Sequence, residues 1–130
     1  MTRFERLLYV LGALGMLSAV ALGAFAAHAL RSRLSPEAIA IFKTGIDYHF
    51  YHALALLIVG QLVARMPRAQ LLRWAGGLLA AGIPLFSGSL YALVLTGARW
   101  WGFITPLGGT AWLIGWALVV VALWRQRAEQ

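Results

Sequence analysis

The sequence predicts an all-α integral membrane protein, an antiparallel bundle of four transmembrane helices with both termini in the cytoplasm. Residues 7–30, 48–64, 74–98 and 100–124 contain no Lys, Arg, Asp or Glu. About 20 apolar residues cross the hydrocarbon core of a bilayer. Only 12% of the chain is charged, against about a quarter in soluble domains, and that shortfall excludes a soluble fold. The third observation is the placement of the cations. With four spans, the termini and the second loop share one side and carry Arg3, Arg6, Arg65, Arg68, Arg73, Arg125 and Arg127. The first and third loops carry Arg31, Arg33, Lys43 and Arg99. The positive-inside rule therefore puts both termini in the cytoplasm.

One domain covers residues 1–130, with spans at about 7–29, 44–64, 73–96 and 103–124, and short loops make successive helices antiparallel neighbours. The net charge of +7 comes from cations at the ends of apolar runs. They form no separate basic face, so no nucleic-acid partner is expected. Cysteine is absent, which excludes disulfides, thiolate catalysis and Cys-ligated metals.

The first span follows a basic N-terminus and contains Ala27-His28-Ala29, a small-x-small pattern like a signal cleavage site. Its uncharged run outlasts the roughly 7–15 residues of a signal h-region, so it reads as a retained helix. Gly15, Ala19, Gly23 and Ala27 recur every four residues and predict close packing along one stripe. On that reading, Gly23→Leu forces the backbones apart.

The second helix starts at Ser35-Pro36-Glu37: a capping hydroxyl, a proline suited to the first turn, and an acid at the positive dipole end. It either runs on as one long helix or bends near Gly45. At about 100° per residue, His49 and His52 lie roughly 60° apart, and Asp47 points nearly opposite. Lys43 and Asp47 read as a neutralising i,i+4 pair. The third span holds Pro84 at mid-membrane. Proline removes a backbone donor there, and the hydroxyls of Ser87 and Ser89 are the expected compensation. The fourth opens at Thr105-Pro106 followed by Gly108-Gly109. Trp74, Trp124, Trp100 and Trp101 form an aromatic belt, and Trp112 and Trp116 read as packing residues.

Nearly every polar group within the spans falls in the outer half of this topology. Ionisable residues at membrane depth usually face the bundle interior or water. The candidate site is therefore an outward-facing polar pocket of His28, His52, Ser87, Ser89, Tyr91 and Thr105, with Asp47 and His49 as weaker members. His52 is expected to be buried, mostly neutral and within hydrogen-bonding reach of helix 1, 3 or 4, with the Ser87, Ser89 and Tyr91 hydroxyls of helix 3 as the first partners to expect. No catalytic set is visible, and neither a metal site nor a cofactor is expected. A path across the membrane needs polar groups at both depths, and Gln61 stands almost alone in the inner half.

Four motifs occur in order: Gly23-Ala24-Phe25-Ala26-Ala27-His28-Ala29-Leu30, Tyr51-His52-Ala53-Leu54-Ala55-Leu56-Leu57, Phe86-Ser87-Gly88-Ser89-Leu90-Tyr91, and Ile104-Thr105-Pro106-Leu107-Gly108-Gly109. The chain resembles, over nearly its whole length, the small four-helix membrane family called domain of unknown function 423, related to transmembrane protein 256. The resemblance implies a bacterial inner-membrane protein of this length and supplies no activity. The family pattern carries Gln where this chain has His49, so the resemblance favours His28 and His52 for a shared role. The function expected is a binding or structural module, an accessory subunit of a membrane complex in contact with lipid. The alternative is a small oligomeric transporter or channel for an ion or small solute. An enzyme is not expected.

Overall fold

The computed structural model of the protein describes residues 1–127. Four helices are long and apolar enough to cross a membrane. They are α1 (Arg3–Leu30), α2 (Pro36–Arg65), α3 (Gln70–Thr96) and α4 (Thr105–Arg127), the last preceded by a 3₁₀ turn at Arg99–Phe103. The described residues contain no strand.

Local chemistry sets the helix ends. Thr2 and Glu5 form a reciprocal capping box at the start of α1. The Ser35 hydroxyl accepts from the Ala38 N–H and starts α2. Gly97 ends α3 at φ 71°, a left-handed conformation that costs glycine least.

α2 is a single helix of 30 residues, continuous through Gly45. At 1.5 Å per residue it is about 45 Å long, so its first turns stand outside a hydrocarbon core of about 30 Å. It is also the axis of the fold. α1 packs along α2 and barely touches α3, while α3 packs along both α2 and α4. The core runs through Leu8, Leu56, Val59, Leu72, Leu79 and Trp112.

Lipid is as apolar as leucine, so helices associate here through close van der Waals contact and hydrogen bonds. Glycines mark the closest approaches. A Cβ on Gly15 would lie 2.7 Å from Ala53 Cβ, and one on Gly12 would lie 2.7 Å from Leu57 Cδ2. The predicted four-residue stripe is only half used. Gly15 and Ala19 are buried, but Ala27 is exposed and a Cβ on Gly23 would find its nearest neighbour, Ile46, at 3.9 Å. The helices touch near Gly15 and splay beyond Ala19. Gly15→Leu is accordingly expected to lower stability by about 1–3 kcal/mol through overpacking, and Gly23→Leu to leave it nearly unchanged. Equal thermal shifts for the two variants in detergent would contradict the splay.

Two turns depart from α-helical winding. Ala26–Leu30 ends α1 as a π-helix, and Ile83–Gly88 forms a second π segment at the proline in α3.

Candidate functional site

Uninterrupted winding along α2 sends its two neighbouring histidines to different partners. His52 is 6% exposed. Its Nδ1 lies 2.7 Å from the Tyr48 carbonyl, and its Nε2 lies 3.2 Å from Trp116 Nε1. A carbonyl only accepts and an indole N–H only donates. His52 is therefore the neutral tautomer protonated at Nδ1, with the Nε2 lone pair taken by Trp116. One face of its ring stacks on Trp112 at 3.6 Å between centroids and 3° between planes. The expected burial is present, and so is the expected bond to a neighbouring helix, here α4; the second bond goes to the helix's own backbone. Ser87, Ser89 and Tyr91 do not bind His52.

His49, also 6% exposed, turns to α1 and α3. Its Nε2 is 3.2 Å from Ser18 Oγ, and its Nδ1 is 3.0 Å from the Tyr91 hydroxyl. The Ser18 hydroxyl donates to the Leu14 carbonyl at 2.8 Å, which leaves its oxygen to accept from His49 Nε2–H. Tyr91 then donates to Nδ1. His49 is thus assigned the opposite tautomer from His52. The chain Tyr91–His49–Ser18–Leu14 links three helices with every proton used. A Cβ on Gly45 would lie 2.8 Å from Tyr91 Cε1, so that glycine admits the tyrosine ring to the face of α2.

The proline break is closed by a side chain from α4. Ile83 N–H bonds the Ala80 carbonyl, leaving the Leu79 carbonyl without a donor from its own helix. Trp112 Nε1 donates to it at 3.1 Å. Gly82 makes room, since a Cβ there would collide with the indole nitrogen. Neither hydroxyl expected in that role fills it. Ser89 donates to the Phe86 carbonyl at 2.8 Å and meets Thr105 Oγ1 at 2.7 Å, tying α3 to the start of α4. Ser87 Oγ is fully buried with no hydrogen-bond partner.

The six candidate residues therefore do not line one pocket. His28 sits in the π turn at the end of α1 and is exposed. His52 belongs to an aromatic cluster with Tyr48, Trp112 and Trp116, and Ser89 with Thr105 forms a separate knot. Tyr91 joins His49, which the sequence ranked below His28. Asp47 lines a different crevice with Lys43. Among the described residues, no three of His, Asp and Glu gather into a metal-binding group.

Ser18, Trp112 and Trp116 were not among the candidates. Ser18 carried a usable signal as the one serine or threonine in residues 7–30. The two tryptophans, at i and i+4, share one face of α4, but nothing in the sequence said that both indoles would find acceptors on neighbouring helices. Tyr9 and Gln61 pair at 2.9 Å between α1 and α2, so the lone inner-half amide is also satisfied.

Where α1 stands off α3, a groove of about 470 Å³ opens between them. Ser18, His49 and Tyr91 are its polar lining. Leu11, Leu14, Leu22 and Leu56 face Ile83 and Pro84 across the rest. In this assignment the serine and tyrosine protons are both spent within the chain of bonds.

Residues 22–109 match the family model described as "Protein of unknown function (DUF423)". The chain belongs to the DUF423 family. The matched region contains both histidines of α2 and the whole of α3. The DUF423 chain is 46% identical over 113 residues to UPF0382 membrane protein YwdK of Bacillus subtilis strain 168, covering 87% of this chain and 92% of the relative. It is 40% identical over 126 residues to UPF0382 inner membrane protein YgdD of Escherichia coli K12, covering 96% and 95%. UPF0382 membrane protein SAB0533 of Staphylococcus aureus strain bovine RF122 is 42% identical over 120 residues, covering 92% and 97%. None of these three names carries an enzymatic activity. No solved structure matches the DUF423 chain. It is a small multi-pass protein of the bacterial inner, or plasma, membrane.

Proposed function

We propose that this DUF423 protein is a membrane-embedded binding module. Its groove between α1 and α3 takes an elongated apolar molecule carrying one hydrogen-bond donor, such as a long-chain alcohol. The observation that carries this reading is the set Ser18, His49 and Tyr91 lining a groove whose other walls are almost wholly apolar. Buried polar groups are costly in hydrocarbon unless paired. A trio whose protons are spent on one another tolerates an empty groove and has only oxygen lone pairs to offer a guest, which favours one bearing a hydroxyl. The cation distribution supports an orientation with both termini cytoplasmic, with the His49 end of the groove in the outer half of the bilayer.

A photoactivatable long-chain alcohol, reconstituted with the protein in liposomes, tests the reading. Crosslinks are expected on groove residues such as Leu14, Leu22 and Ile83, and Leu14→Trp should suppress them. Crosslinks spread evenly over lipid-facing residues such as Leu17 and Leu113, unaffected by Leu14→Trp, would refute it. Foreign subunits co-purifying in place of small molecules would favour an accessory role.

A further inference from the structure

A second crevice, of about 400 Å³, lies between the end of α1 and the first turns of α2. It exists because the two helices splay after Ala19. Gly23, Ala26 and Ala27 line one side and are too small to fill it, and Ile39 and Ile46 line the other. Arg31, Lys43 and Asp47 complete it. Arg31 comes directly after α1, and Lys43 lies about 10 Å along α2 from Pro36 at 1.5 Å per residue. With a hydrocarbon core of about 30 Å and the surplus length of α2 on this side, these charges fall at the level where lipid headgroups meet acyl chains. Long basic side chains there keep their stems along apolar surface and their charges in the headgroup layer.

We infer that this crevice is a binding site for a zwitterionic aminophospholipid, one whose headgroup carries a phosphate and a primary ammonium. The chemistry of the lining matches both charges. Arg31 and Lys43 supply N–H donors for phosphate oxygens. The Asp47 carboxylate can only accept, and a primary ammonium has N–H groups to give it. A quaternary ammonium has none. An anionic headgroup without an ammonium has no N–H to give the Asp47 carboxylate. The small and aliphatic residues leave room for the start of an acyl chain. The site shares no lining residue with the groove between α1 and α3, and the inference stands apart from the function proposed for that groove.

The test is native mass spectrometry of the full-length protein in mild detergent with three added lipids. They are phosphatidylethanolamine, phosphatidylglycerol and phosphatidylcholine, with identical acyl chains and in equal amounts. Phosphatidylethanolamine should be retained about tenfold over phosphatidylcholine, the scale of one charge-assisted hydrogen bond. Asp47→Asn should bring those two to parity. Gly23→Leu keeps every charge in place and has room for its Cβ. It should remove all three adducts while the melting temperature holds, so the conclusion does not depend on the folding of the Asp47 variant. Glycerophosphoethanolamine, the headgroup without chains, should not compete. Equal retention of the three lipids, preference for phosphatidylglycerol, displacement by the free headgroup, or full retention in Gly23→Leu would each overturn the assignment.

Discussion

Adding one methyl group at Gly108 is expected to drive α3 and α4 apart. A Cβ there would collide with the backbone nitrogen of Phe86 and lie 2.8 Å from the Leu85 carbonyl carbon. Both neighbours are main chain, so no rotamer change relieves the clash. Both also lie in the π segment around Pro84, whose winding is tied to α4 through Trp112 and Thr105. Overpacking a well-filled contact costs about 1–3 kcal/mol where side chains can shift, and more than about 3 kcal/mol is expected here because backbone must move. Gly108→Ala should therefore melt far below the parent in detergent. Gly102→Ala, where nothing lies within 4 Å, should melt with the parent. Matching melting temperatures for all three would refute the close crossing.

Trp112→Phe carries the second large effect. Phenylalanine keeps most of the apolar volume but removes the N–H that Leu79 receives at 3.1 Å. The loss strands a carbonyl in hydrocarbon, at a cost of about 1–3 kcal/mol. Trp112→Ala adds a cavity and removes the face on which His52 stacks, for a total of about 3–5 kcal/mol. Melting in detergent should rank the parent above Trp112→Phe, and Trp112→Phe above Trp112→Ala. If Trp112→Phe melts with the parent, the indole does not close the break.

How far the sequence could be read depends on whether a helix winds regularly. In α2 the count of 100° per residue held over 30 residues. It put Tyr48 beside His52 and Asp47 away from both histidines, and the structure agrees. Uncharged runs located the four spans for an equally simple reason: charge is costly in hydrocarbon. The reading failed where winding changes. Spacing at 100° per residue does not apply inside a π turn, and His28, which lies in one, is exposed instead of joining the expected pocket. Pro84 announced a break, but sequence could not name its donor, because Leu79 and Trp112 meet only through tertiary packing. The small-residue stripe looked uniform from Gly15 to Ala27, yet spacing does not reveal where two helices begin to diverge.

At the centre of the bundle, two histidines three residues apart are held neutral in opposite tautomers by different helices. Solid-state ¹⁵N NMR of histidine-labelled protein in bilayers at neutral pH reads this directly, with signals assigned through His49→Gln and His52→Gln. The predicted result is a proton on Nδ1 of His52 and on Nε2 of His49, the latter pattern lost in Tyr91→Phe. The same tautomer at both sites, or an imidazolium at either, would contradict it.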